Sequence, residues 1–368
     1  MRYRKWTLPV TWLAVGALVG FLLATHFSAE GGNNGLNITG WNKGRGWGWI
    51  WGPEDEVGAL NAMTDSTRLH ALRLVKRGKV YDLGVTYARD SYRWPGHNPG
   101  EIIAFRTPAN LKRQQDLPEL VGPDVNPWQT AWHSNALFLS DNVGTQIDGL
   151  AHATEGPGCP HPGLVDHWYN GFTEEKWGGD FGPRKCDAST IPPIIARGVL
   201  IDVAGAKNLP VLPPHYPITV DDLQAALDKQ GTVLRPGDVV LIRTGALQFW
   251  GETGSDPDGK LAKHDTAGIT LEAARWLVEQ KGAMLIGADT SGVEYHPRPE
   301  KRAEYLAKYK SFMPVHNYLL IDQGVHLGEF HYLEELARDR VYEFCYICCT
   351  NKIRGTTAGF CLRPIAIY

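Results

Sequence analysis

The sequence predicts a mixed α/β protein, and two observations carry that expectation. Three short aliphatic runs, Gly198-Val-Leu-Ile-Asp202, Asp238-Val-Val-Leu-Ile-Arg243 and Ala283-Met-Leu-Ile-Gly287, have the length and composition of buried strands. Helical stretches with readable ends lie between them. Thr219 is a good N-cap for a helix over Val220 to Lys229, with Asp222 at the third position and Gly231 as the stop. Thr270 opens a second helix, Leu271 to Lys281, whose Ala274, Leu277 and Val278 form a core-facing stripe before Gly282. Strand and helix alternating in this way is the pattern of α/β architecture. The run Tyr342 to Cys349 reads as a further buried strand, and Gly31 to Trp51, rich in Gly, Asn and Trp, has no period and is expected as an extended arm.

With 368 residues, 43% hydrophobic and 21% charged, the chain can bury a large core, and no linker divides it. A net charge of -3 gives no basic field for nucleic acid, so no nucleic-acid partner is expected. Residues 1–29 read as a signal peptide or membrane anchor. Arg2, Arg4 and Lys5 precede an uncharged run from Trp6 to Thr25, just long enough to cross a bilayer of roughly 30 Å, and Ala24 and Ser28-Ala29 suit a cleavage site. Either way the domain at 30–368 is expected outside the cytoplasm, in a periplasmic, extracellular or lumenal space, tethered at most by its N-terminus. Asn37-Ile-Thr39 is a glycosylation sequon. Cys345 and Cys348 spell C-x-x-C, but on a strand residues three apart face opposite sides and no second C-x-x-C follows, so a cysteine metal site is not expected.

The densest polar cluster is Asp141-Asn-Val-Gly-Thr-Gln-Ile-Asp-Gly-Leu-Ala-His152, after the apolar run Ala136-Leu-Phe-Leu139. On an extended segment Gln146 and Asp148 project to one face, which could hold a cation. An Asp beside Gly and Thr also suits a turn or cap. No Ser elbow, Walker loop or dinucleotide fingerprint accompanies it, which leaves serine hydrolysis and nucleotide chemistry without support.

This segment resembles the hallmark H-x-G-T-H-x-D-x-P-x-H of the putative cyclase family of metal-dependent hydrolases, which includes kynurenine formamidases (arylformamidases) and isatin hydrolase. Here it stands as Asn142-Val-Gly-Thr-Gln146-Ile-Asp148-Gly-Leu150-Ala-His152. Similar stretches are Trp51 to Asn61, Ala196 to Val203, Gly237 to Gly245, Ile286 to Asp289, Ile353 to Gly359 and Leu362 to Ile367, so the likeness spans roughly residues 47 to 368 in the family's order. The resemblance implies a swivelling β/β/α cyclase-like fold with mixed sheets and peripheral helices, assembled as a homodimer or larger homo-oligomer. It also implies a divalent metal, Zn or Mn. The metal ligands carried over are Asp148, His316 and Glu329, with Asn142 and Gln146 where the family has two histidines.

Amide oxygens are weaker donors than imidazoles, so one ion per chain is expected rather than two. His152 is the expected general acid and base, since imidazole titrates near neutrality, while Thr145 and Gln146 orient the substrate carbonyl or the attacking water. Asp289 and Trp51 are candidate substrate contacts. For Asp289 a strand-end cap is an equal alternative, and the tryptophans Trp41, Trp47, Trp49 and Trp51 equally suit a subunit interface. His326, His331 and His133 are reserve ligands. The implied activity is hydrolysis of an amide, cyclic amide, lactone or ester carbonyl in a small molecule, of which N-formylkynurenine to kynurenine, in the kynurenine pathway, is the best-known family case. The competing expectation is an exported, non-catalytic small-molecule binding protein with a degenerate metal site.

Overall fold

The aliphatic runs that the sequence marks as strands lie side by side at the centre of a nine-stranded mixed sheet in the computed structural model, which describes residues 38–114 and 117–368. The expected targeting segment 1–29, its boundary with the domain, and Asn37 of the sequon lie outside the described residues. Residues 38–368 form one compact unit. The strands of the sheet are β1 (Val80–Asp82), β2 (Gln146–Asp148), β3 (Ile194–Asp202), β4 (Val239–Arg243), β5 (Leu285–Ala288), β6 (His326–Glu329), β7 (Glu343–Cys348), β8 (Ala358–Gly359) and β9 (Ile365–Ile367). Their order across the sheet is β1-β9-β7-β3-β4-β5-β6-β2-β8. Strands β3 to β6 run parallel, and the strands on both flanks pair antiparallel. Covered on both faces, β4 and β5 are buried along their whole length, which is why they read as unbroken aliphatic runs.

The first two of the three parallel crossovers use the helices the sequence announces. Helix α1 (Val220–Gln230) joins β3 to β4, with a capping box between Thr219 and Asp222 and a left-handed Gly231 at φ 65°. Helix α2 (Leu271–Arg275), capped by Thr270, then continues as a π-helical turn, Trp276–Gln280, so the expected single helix has two geometries. Widening the turn leaves Ala274, Leu277 and Val278 fully buried, and for that reason the apolar stripe carries no sign of it. All six thiols are free, and Cys345 and Cys348 are buried on β7 with no metal-binding neighbours from a second pair.

The arm after Ile38 is extended as expected, but its tryptophans are turned onto their own chain. The indole N–H groups of Trp41, Trp47 and Trp49 donate to the carbonyls of Val278, Ala283 and Ile321 at 2.7, 2.9 and 2.7 Å. Trp51 packs against the same core. An aromatic that buries its face and finds a carbonyl for its N–H anchors a segment, which is what Trp41, Trp47 and Trp49 do.

Candidate metal centre

Strand β2 is only three residues long, yet it is paired on both sides, and this pairing builds the site. Gly144, at φ 62°, lets the chain turn into the strand. Because successive side chains alternate, Gln146 and Asp148 share a face. The antiparallel register sets Glu329 of β6 directly opposite Gln146, so this second acid joins the same face. A turn then brings His152 back over the strand, its N–H donating to the Gly149 carbonyl at 3.0 Å. His316 arrives from the short helix Pro314–His316, at the point where the chain opens into a π-helical turn, Asn317–Asp322. Nε2 of His316 is 3.9 Å from Asp148 Oδ2 and 3.6 Å from Glu329 Oε1, and Nε2 of His152 is also 3.9 Å from Asp148 Oδ2. The structure therefore brings Asp148, His316 and Glu329 together from distant parts of the chain.

The electrostatics are those of an arrangement short of positive charge. Asp148 is fully buried; Oδ1 accepts from the amides of Asn142 and Gln146 at 3.2 and 3.4 Å, while Oδ2 is buried with no hydrogen-bond partner. Gln146 also donates to Glu329 Oε2, and its own Oε1 is buried without a partner. Burial, and then the neighbouring Asp148 charge, push the Glu329 carboxyl well above the usual carboxylate range. Burial works against a charged His316, but its hydrogen bond to Glu294 and the nearby Glu329 carboxylate outweigh that and hold the ring well above its ordinary value.

These residues fit a divalent cation. A buried carboxylate oxygen with no partner is costly and rare. The imidazole nitrogens around it stand too far off for hydrogen bonds, but ligands about 2.0–2.2 Å from a common ion lie roughly 3 to 4 Å from each other. One donor atom from each of Asp148, His152 and His316 lies within 4.8 Å of the other two.

Other expected residues have different places. Asn142 turns its amide N–H groups to Asp148 Oδ1 and to Nδ1 of His152, at 3.4 Å, so it orients the cluster and is not itself aimed at an ion. The Thr145 hydroxyl is fully used in the scaffold, donating to the Phe330 carbonyl at 2.7 Å and accepting from the Val85 N–H at 2.9 Å; an orienting role toward substrate is corrected to a structural one. Asp289 takes the capping alternative: it accepts from Thr244 N, Thr244 Oγ1 and Gly245 N at 2.7 to 2.8 Å and does not line the cavity. Trp51 is likewise absent from the cavity wall. His326 is held by the Asp148 and Val57 carbonyls, His331 pairs with the Tyr346 hydroxyl, and His133 is exposed next to a strand outside the main sheet.

A cavity of about 590 Å³ opens onto His152, His316 and Glu329. Tyr92, Trp94, His97, His296, Arg302 and Tyr305 are among the residues that line it. The most consequential residue that sequence reasoning missed is Glu294. It is buried, its Oε2 pairs closely with Nδ1 of His316, and it accepts from the His316 backbone N–H at 3.2 Å. A carboxylate on the far nitrogen of a ligating imidazole fixes its tautomer and raises its basicity. The available signal was position: Glu294 follows the carboxyl end of β5, where open α/β sheets gather their sites.

A family model described as putative cyclase matches residues 81–295, more than half of the chain. Among solved structures the chain is similar to one described as a novel cyclase, at 28% identity and a TM-score of 0.69, covering 86% of this chain and 98% of that one. It is also similar to isatin hydrolase A from Labrenzia aggregata bound to benzyl benzoate, at 18% identity over 78% of this chain and 93% of that one, TM-score 0.51. For isatin hydrolase A from Ralstonia solanacearum the identity is 21%, over 83% of this chain and 97% of that one, with a TM-score of 0.50. No curated protein matches the sequence. The sheet with its peripheral helices is thus a cyclase-like fold, and the chain belongs to the putative cyclase family.

Proposed function

We propose that the protein is a metal-dependent hydrolase that cleaves the carbonyl bond of an amide, cyclic amide, lactone or ester, with arylformamidase-like chemistry as the type case. The observation that carries this is the unpartnered Asp148 Oδ2 facing two imidazoles and a second carboxylate beneath a cavity sized for a small molecule. The isatin hydrolases among the structural neighbours support hydrolysis as the reaction class. Asp148, His316 and Glu329 would hold one ion, Zn or Mn, with Gln146 Oε1 as a further neutral donor. When bound, such an ion supplies a Lewis acid for the carbonyl and lowers the pKa of water toward neutrality.

The remaining work falls to this chain's side chains. The Asn142 amide fixes the His152 ring through Nδ1, at 3.4 Å, and leaves Nε2 facing the cluster, where its lone pair can take up a proton. His152 lines the cavity, and it takes a proton from the attacking water and returns it to the leaving nitrogen or oxygen. Glu294 holds His316 in one tautomer. The rings of Tyr92, Trp94, Tyr305 and Phe312 in the wall favour a flat substrate and exclude water around it. We further propose that the enzyme acts after export and as a homo-oligomer.

The test is metal analysis joined to a hydrolysis screen across formamides, cyclic amides and lactones. Hydrolysis that needs a divalent ion and disappears together with one equivalent of metal in Asp148→Ala is the expected result. Metal-independent turnover, or ligand binding without turnover of any class, would instead favour the non-catalytic binding protein.

A further inference from the structure

Glu155, His161 and His167 come together in the irregular segment after His152, and one donor atom of each lies within 4.8 Å of the other two. The centre described above uses none of them. A backbone bridge pairs residue 155 with residue 167, which sets their side chains on one side. Glu155 Oε2 then stands 4.0 Å from His167 Nε2, too far for a hydrogen bond and close enough for two ligands of one ion. His167 has no exposed surface, and neither of its ring nitrogens has a hydrogen-bond partner; Glu155 Oε2 is also buried and unpartnered. An imidazole with both nitrogens idle in a dry site is not explained by packing, because a buried polar group without a partner is a net cost. Burial also keeps the His167 ring below its ordinary pKa, in the neutral form that ligates metals.

The surroundings hold this donor set in place. His161 Nε2 meets Asp322 Oδ1 at 2.8 Å, and Asn317 donates to Glu155 Oε1 at 3.0 Å, which orients the other oxygen toward His167. The Trp49 ring stacks on His161 with centroids 4.9 Å apart and turns its edge to His167 at 6.3 Å, covering the cluster with the N-terminal arm.

We propose that Glu155, His161 and His167 form a second metal site, one that takes zinc and is structural in kind, with the Asp322 carboxylate holding the His161 ring. Two imidazoles and a carboxylate that do not line the substrate cavity make a nitrogen-rich donor set suited to zinc. The ion ties together three parts of the chain: the segment that starts three residues past His152, the π-helical turn that starts one residue past His316, and the arm that carries Trp49. It therefore braces both segments from which the histidines of the first centre project.

The test counts zinc in full-length protein by elemental mass spectrometry after dialysis against zinc, comparing wild type with His167→Gln and, separately, Glu155→Gln, which keeps an acceptor for Asn317. The expected result is one equivalent of zinc fewer in each folded variant, together with a lower Tm. Asp148→Ala, which empties the first centre alone, should still take up one equivalent and bind it more than about tenfold tighter than its combination with Glu155→Gln. Zinc content unchanged in Glu155→Gln, or no zinc held by Asp148→Ala, overturns the proposal. Because Asp148→Ala reports on this site without the other, failure here is distinct from failure of the hydrolase proposal.

Discussion

Glu294 offers the sharpest test of how the metal centre is built. Glu294→Gln keeps the shape of the side chain and an oxygen for the His316 Nδ1–H, but removes the charge. A hydrogen bond to a charged acceptor contributes about 1.5–3 kcal/mol and a neutral one about 0.5–1.5, so the difference alone is on the order of tenfold in metal affinity. Carboxylates behind ligating histidines typically matter by about 10–100-fold, which is the range expected here. The sign of the pH dependence follows from the same contact. Glu294 is the largest of the influences that raise the His316 pKa, and protons compete with metal for Nε2. Removing its charge lets protons compete less well, so the affinity deficit of the variant is largest at alkaline pH and shrinks as pH falls. Competition against a chromophoric chelator at several pH values measures both effects. Equal affinities at alkaline pH would refute the argument, and a complete loss of binding would make Glu294 a ligand in its own right.

Three further outcomes are expected. His152→Ala should keep the metal at the first centre while turnover falls by about 10²-fold or more, measured as kcat on whichever substrate the screen yields; loss of the ion would move His152 into the ligand set. Asp289→Asn should cost about 1–3 kcal/mol in urea unfolding, by weakening three buried hydrogen bonds, and leave KM unchanged, whereas a raised KM would return Asp289 to the substrate pocket. Burial pushes the His331 ring down to about 4. The unfolded chain therefore takes up this proton first as pH falls, stability above the unfolded value near 6.5 is unaffected, and about 3 kcal/mol is lost between there and pH 4. His331→Gln should flatten that acid limb in urea titrations, and an unaltered slope would show that other groups set it.

What the sequence made legible is what local physics decides. The parallel strands are aliphatic because they are covered on both faces, and α1 carries its own cap and stop, so both can be read from a single stretch of chain. Gln146 and Asp148 on one face follow from strand period alone. Glu329 beside Gln146 is a matter of register between strands 183 residues apart, visible only through the family likeness. Glu294 depends on how the loop after β5 folds back over His316, and no local pattern encodes that. Composition and burial part at Ala136-Leu-Phe-Leu139, an apolar run that pairs with Gly100–Arg106 in a two-stranded ribbon on which Phe105 and Phe138 are 62% and 67% exposed. Asp289 and Glu294 both follow β5, and composition could not tell which of them caps a turn and which supports a ligand.

The amides at 142 and 146 are the reason for proposing one ion at this centre. Two carboxylates facing one another in a buried site repel, and either added protons or added positive charge must compensate. Asn142 and Gln146 direct their N–H groups at Asp148 Oδ1 and Glu329 Oε2, the oxygens turned away from His316. On that side neutral donors occupy the place a cation would need, and they hold the two carboxylates without adding charge. The oxygens left over, Asp148 Oδ2 and Glu329 Oε1, both face His316 Nε2. Positive charge can therefore enter the cluster from one direction only. Imidazoles in place of these amides would offer ligand atoms on both sides of the carboxylates; the amides convert half of such a site into scaffold and leave the other half for a single ion.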